Sequence, residues 1–288
     1  MIIHTFLGAL VFGFLLTFAC VIVAPKFGFV NNPNPIIRTH VAPVPYGGGA
    51  TIFLAMAISL LLKDPGSLHA DFLWVIAGAP LLLLGLIDDA RPFNPVPKLL
   101  LQVLALGTAL AISPVALDPW HLLLLFVLGL AVINGTNFLD VSDGVVGAIL
   151  LGVAAGVALL GDMPIAAAAS GAAIGFLLLN WAPAKIYLGD AGSHFVGFLI
   201  LAMAAMLFER SDGGTAKLAI IVLVLAILPV IELVFVCLVR FRAGKSLLLG
   251  SPDHIPLQLQ RRGIGRPAVA AMAGSAAFAS SWAAINLI

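Results

Sequence analysis

Two asparagines and two carboxylates fall between Ile133 and Gly144, in the stretch INGTNFLDVSDG. Asp140 and Asp143 stand at i and i+3, so on a helical turn they would face the same way, with Asn137 beside Asp140. Two like charges held that close repel unless a cation or a hydrogen-bonding ligand lies between them, so the spacing points to a metal, phosphate or base-edge site. The plainer reading is a polar loop that turns the chain back into a bilayer.

Other acids share this character. In GLIDDARPFNPVPKLLLQ, Asp88 and Asp89 are adjacent at a helix end and so point to different faces, one toward a metal or nucleophile and one toward a neighbouring group. Lys98, ten residues on, suits a phosphate as a point charge. In NWAPAKIYLGDAGSHFVG, Asp190 lies between Gly189 and Gly192, which permit close ligand approach. A hard divalent cation is held by one or two carboxylates plus substrate phosphates, which Asp190 could provide; a helix-capping role is its competitor, with Ser193 as a second cap candidate. Tyr187 could stack on a base. The first polar loop carries Arg38 near Gly47, Gly48 and Gly49, suiting phosphate or lipid headgroups. The last sets Asp253 and His254 among cations.

These motifs must be positioned by membrane helices. The 288 residues are 62% hydrophobic and 9% charged, the composition of a polytopic membrane protein. A net charge of +1 with no basic, aromatic-interleaved run argues against a nucleic-acid partner. Cys20 and Cys237 lie in apolar runs and suggest no disulfide. Backbone groups cannot go unpaired in lipid and no run alternates like a barrel strand, so the fold class is all-α. Ten spans are expected, at about 2–24, 48–62, 72–87, 99–113, 120–136, 144–160, 164–180, 193–208, 217–239 and 267–287, in one domain covering residues 1–288. The first is read as a retained span, and the shorter ones as extending into their polar flanks.

Gaps after odd-numbered spans hold Lys26, Arg38, Arg91, Lys98, Lys185, Arg240, Arg242, Lys245, Arg261, Arg262 and Arg266; the others hold Lys63, Arg210 and Lys217. The positive-inside rule then makes the odd gaps cytoplasmic and both termini external. Asp88, Asp89, Asp140, Asp143, Asp190 and Asp253 all fall on that face by span parity. Glu232 lies inside the ninth span and should face the interior, paired or protonated.

The GG-containing first loop, LIDDARPFNPVPKLLLQ, NGTNFLDVSDG, PAKIYLGDAGS, LPVIEL and the final histidine loop together resemble the polyprenyl-phosphate N-acetylhexosamine-1-phosphate transferases, in family order over nearly the whole chain. The resemblance implies transfer of a sugar-1-phosphate from a UDP-N-acetylhexosamine to undecaprenyl or another polyprenyl phosphate, releasing UMP, with Mg2+ or in its place Mn2+, in the bacterial cytoplasmic membrane. It implies Asp190 as principal metal ligand and Asp88 as the acid for metal or lipid-phosphate chemistry. Asp89, Asn137 and His254 would complete the catalytic surround, Asp140, Asp143 and Tyr187 would serve the nucleotide side, and Lys98 and Arg38 would meet phosphate. A homodimer is the assembly it allows. The muramoyl branch carries three histidines in its last loop where only His254 stands here, so the chain is more similar to members that initiate surface polysaccharides such as O-antigen. A carboxylate-lined secondary transporter is the alternative, although such carriers gather ionisable groups near the midplane.

Overall fold

Proline marks where many of the helices begin. The computed structural model describes residues 2–32, 42–63, 69–114, 117–159, 163–248 and 252–287. Its helices are α1 (Ile2–Val23), α2 (Gly48–Lys63), α3 (Ala70–Ala77), α4 (Ala79–Ala90), α5 (Pro95–Ala111), α6 (Pro119–Leu139), α7 (Val145–Ala158), α8 (Pro164–Asn180), α9 (Gly189–Glu209), α10 (Thr215–Leu225), α11 (Ile227–Arg242), α12 (Ile255–Arg261) and α13 (Arg266–Ile285). Pro95, Pro119 and Pro164 each take the first helical position, where a missing N–H costs nothing. Asp118 caps α6 by accepting from the Trp120 and His121 amides at 2.9 and 3.0 Å. A two-residue ribbon pairs β1 (Val30–Asn31) antiparallel with β2 (Val44–Pro45).

The ten expected apolar runs correspond, among the described residues, to α1, α2, α3 with α4, α5, α6, α7, α8, α9, α10 with α11, and α13. Five of these are long and apolar enough to cross a membrane, and α10 with α11 makes a sixth if counted as one bent span; α2, α5, α7 and α8 are shorter apolar helices. The polar flanks do join the helices. Lys98 lies in the first turn of α5, Asn134 and Asn137 in the last turns of α6, and Asp190 in the first turn of α9 rather than in preceding loops.

Helix α9 is the axis of the bundle. Its 18-residue apolar window is 100% buried, as a helix apolar on every side requires, and α2, α4, α6, α7 and α10 pack around it. Small residues set the distance of approach where it matters. A Cβ on Gly85 of α4 would lie 2.3 Å from the Ala191 backbone, and one on Gly49 of α2 would lie 2.2 Å from the Gly192 nitrogen. Both helices therefore touch the first turn of α9 backbone to backbone.

The ninth run is broken rather than continuous. α10 and α11 meet at 79°, because Pro229 has no amide to donate and its ring crowds the carbonyl four residues back, Leu225. Gly135 of α6 admits the bend, since a Cβ there would meet the Pro229 carbonyl oxygen at 2.1 Å. Gly85→Ala is expected to lower thermal stability by about 1–3 kcal/mol, the usual cost of forcing atoms into a packed interior. A melting curve of the variant in detergent that overlays the parent's would contradict this packing.

Candidate active site

Two helices present one polar side chain each to a single carboxylate, that of Asp190 on α9. The Lys98 ammonium of α5 donates to Asp190 Oδ2 and lies 2.9 Å from Asp88 Oδ2. The Asn137 amide of α6 donates to Asp190 Oδ1 at 2.5 Å and to Ser193 Oγ at 3.0 Å. From α4, the adjacent acids diverge as their spacing requires. Asp88 faces Lys98 and accepts the Phe93 amide at 2.6 Å, whereas Asp89 accepts the Asp190 and Ala191 amides at 2.8 and 3.2 Å. Asp89 is thus the cap of α9, the role weighed above for Asp190 and Ser193. Gly189, at φ +78°, makes the turn that aims those amides at it; Ser193 instead donates back to the Asp190 carbonyl at 3.2 Å.

Around this knot lies a cleft of about 390 Å³ lined by Asn31, Tyr46, Asp88, Asp89, Asn137, Asp140, Asp143, Asn180, Tyr187 and Asp190, among others. Asp140 and Asp143 both line it, though not as one helical face. α6 ends at Leu139 and the two acids belong to the turn beyond. Asp143 accepts from Arg266 and from the Ala184 amide, each at 3.2 Å. Burial, and then the charges of Asp190 and Asp89, push the Asp140 carboxyl well above the ordinary carboxylate range. The same burial, with Asp89, Asp190 and Asp140 nearby, raises the Tyr46 phenol, so it stays protonated. Tyr187 faces the cleft because its amide donates to the Pro45 carbonyl at 2.8 Å, which extends the β1–β2 ribbon to the α9 loop.

A second cavity of about 220 Å³ adjoins the first, sharing Asp88 and Asn137, and is walled by Phe93, Leu99, Phe138, Leu247 and Leu248 with Lys98 at its side. His254 lines neither cavity. Its Nδ1 is 2.8 Å from Glu232 Oε1, its ring meets Phe138 edge-on at 5.6 Å, and the Ile255 amide donates to Glu232 Oε2 at 3.1 Å. His254, expected in the catalytic surround, is instead found paired with the fully buried Glu232, which it reaches from the loop before α12. Asp253 goes to Lys245 at 3.3 Å instead. Arg38 lies outside the described residues.

Several buried or cleft-lining residues were not singled out from the sequence. Asn180 ties the turn after α6 to the loop before α9, accepting from the Gly144 amide at 3.0 Å and donating to the Ile186 carbonyl at 2.8 Å. Gln102, Asn134 and His194 form a polar layer one turn beneath Lys98, Asn137 and Asp190. Their spacing of three or four residues from those three was the available signal.

Residues 72–208 match the sequence profile of glycosyl transferase family 4. The matched segment is just under half of the chain. The match supports a transferase, and the chain carries the apolar helices of a multi-pass membrane protein. Among similar proteins, one from Streptomyces coelicolor that carries a glycosyltransferase name is 38% identical over 146 residues, covering 48% of this chain and 35% of that protein. The decaprenyl-phosphate N-acetylglucosaminephosphotransferase of Mycolicibacterium smegmatis is 28% identical over 85% of this chain and 71% of its own length. The undecaprenyl-phosphate alpha-N-acetylglucosaminyl 1-phosphate transferase of Escherichia coli K12 is 24% identical over 84% and 71%.

Two stability measurements test this site. With its carboxyl raised in the folded state, Asp140 holds a proton that the unfolded chain releases at the ordinary carboxylate pH, so its contribution falls as pH rises from that value through the raised one. Asp140→Asn should therefore raise the melting temperature at neutral pH in chelator and flatten its decline above acidic pH; an unchanged slope would refute the assignment. His254→Ala should cost about 3 kcal/mol by stranding a buried carboxylate. Adding Glu232→Gln should restore most of that, and a double variant as unstable as the single would show that the pair is not coupled.

Proposed function

We propose that this enzyme transfers N-acetylhexosamine 1-phosphate, with N-acetylglucosamine the first candidate, from its UDP derivative to a polyprenyl phosphate, releasing UMP. The observation that carries this reading is the pairing of cavities. A carboxylate-lined cleft suited to a nucleotide sugar and a cavity that sets Phe93, Leu99, Phe138, Leu247 and Leu248 opposite Lys98, Gln102 and Asn134, suited to a phosphate on a prenyl chain, share Asp88 and Asn137 at their junction. The names of the mycobacterial and E. coli relatives support the same chemistry.

In that reaction a phosphate oxygen of the lipid bonds to the β-phosphorus of the donor. The bond from that phosphorus to the oxygen bridging it to the α-phosphorus breaks, and UMP leaves with that oxygen and its electrons. Both reactants are anionic and five carboxylates line the donor cleft, so positive charge is required. The hard oxygen donors present suit Mg2+, with Mn2+ as substitute. Among the described residues no three His, Cys, Asp or Glu side chains converge, so a magnesium here would take one or two carboxylates and complete its shell with phosphate and water. Asp190 and Asp88 would hold it, and when bound it would supply Lewis-acid charge neutralisation.

The chain's own groups do the rest. Lys98, between Asp88 and Asp190, is placed to meet phosphate as the carboxylates take up other partners. Asn137 fixes the Asp190 carboxylate, and Asp89 fixes the helix turn that carries it. Asp143, Asn180 and Tyr187 offer hydrogen-bonding and stacking groups to a nucleobase at the far end. The bias of Lys and Arg supports a cytoplasmic cleft in the bacterial inner membrane, with envelope polysaccharides such as O-antigen as destination. The transporter alternative loses its deepest ionisable group, since Glu232 is spent on His254 and the Ile255 amide.

Purified protein given undecaprenyl phosphate, Mg2+ and a panel of UDP-N-acetylhexosamines should release UMP, lose that activity in EDTA and regain it with Mg2+ or Mn2+. Asp190→Asn should lower turnover by about 100-fold or more, the usual scale for losing a group that organises charge at the reacting phosphorus, in protein that still melts cooperatively above the assay temperature. Turnover that survives the substitution or EDTA would overturn the proposal.

A further inference from the structure

Beneath the cleft the polar layer of α5, α6 and α9 is a hydrogen-bond chain with a fixed direction. Asn134 donates to the Leu130 carbonyl at 2.8 Å and to Gln102 Oε1 at 3.1 Å. The Gln102 amide nitrogen is 2.5 Å from His194 Nε2, and His194 Nδ1 is bonded to the Asp190 carbonyl. Gln102 and His194 are fully buried, 1% and 0% exposed, so no bulk water can replace a lost partner.

Both ends of the chain are backbone carbonyls, which only accept. At the α9 end the Asp190 carbonyl requires the proton on Nδ1. At the α6 end the Leu130 carbonyl requires the Asn134 amide to present its NH2, and that NH2 requires Gln102 to present its oxygen. Gln102 must then turn its own NH2 to His194, so Nε2 must be the bare, accepting nitrogen. Every alternative creates a buried clash: a cationic ring sets Nε2–H against NH2, a flipped Gln102 sets NH2 against NH2, and a flipped Asn134 sets oxygen against oxygen.

We propose that His194, as the neutral Nδ1–H tautomer, is a positioning residue that registers α5 and α6 on α9 so that Lys98 and Asn137 meet the Asp190 carboxylate. The geometry follows from helix spacing. Gln102 lies one turn below Lys98, Asn134 one turn below Asn137, and His194 one turn below Asp190, so joining the lower three fixes the register of the upper three. A side chain on α9 that cannot accept from Gln102 leaves α5 free to shift, and a 1 Å displacement at a reacting centre costs on the order of 100-fold in rate.

The kinetic arm rests on the transferase reading; the spectroscopic arm does not. Nitrogen-15 NMR of histidine-labelled protein in detergent should show His194 with its proton on Nδ1, assigned by loss of that signal in His194→Gln, and Gln102→Leu should keep the proton there while moving the Nε2 resonance to that of a nitrogen with no donor. His194→Gln, which can still accept from Gln102, should keep kcat within about three-fold. His194→Met should lose at least ten-fold in kcat with little change in KM, at a melting temperature like that of His194→Gln. A proton found on Nε2, or equal kcat for the Gln and Met variants, would overturn the assignment. If no donor is turned over by the parent protein, the transferase reading fails and the tautomer still decides the positioning role.

Discussion

The Asp190 carboxylate is where three helices and a turn are tied together, and the cleft depends on that tie. Lys98 and Asn137 reach it from α5 and α6, while Asp89 holds the first turn of α9 by its amides. Carboxylates crowded into a half-buried cleft repel, and without those donors the turn would be driven apart. The same crowding suits the cleft to cations and phosphates. Stability is given up at Asp140, whose buried carboxyl keeps its proton until a positively charged ligand favours the charged form.

The architecture that delivers these groups is built from close backbone contact. Gly49 and Gly85 bring α2 and α4 onto the start of α9, and Gly135 receives the bend at Pro229. The bend frees α11 to carry Glu232 inward and to meet His254, which pins the loop whose Leu247 and Leu248 wall the second cavity. One cavity is therefore shaped by a helix start and the other by a helix break, with Asp88 and Asn137 common to both.

Much of this was legible in the sequence. The ten apolar runs, the divergence of Asp88 from Asp89 and the gathering of the acids followed from hydropathy, helical spacing and span parity. What was not legible depended on partners distant in the chain. Capping stayed a competitor to the metal reading of Asp190 because nothing local shows that Asp89, a hundred residues earlier, supplies the cap. His254 looked like site chemistry because a histidine beside an aspartate in a basic loop resembles a catalytic pair, and only the fold reveals that buried Glu232 claims it. His194 and Gln102 looked like ordinary residues of apolar helices until their alignment one turn below the cleft placed them opposite each other. The ninth run was read as continuous; Pro229 was the available signal for its break, and the angle depends on the room that Gly135 leaves.

The central claim is that the two cavities join a donor phosphorus to a lipid phosphate, and the most direct measurement follows that phosphorus. Purified protein would be given undecaprenyl phosphate, Mg2+ and a UDP-N-acetylhexosamine labelled at the β-phosphate, with products separated by organic extraction. The account predicts label in a lipid pyrophosphate-linked sugar and unlabelled UMP in water, in equal amounts. Label released to water as UDP while the sugar alone moves to lipid would contradict it.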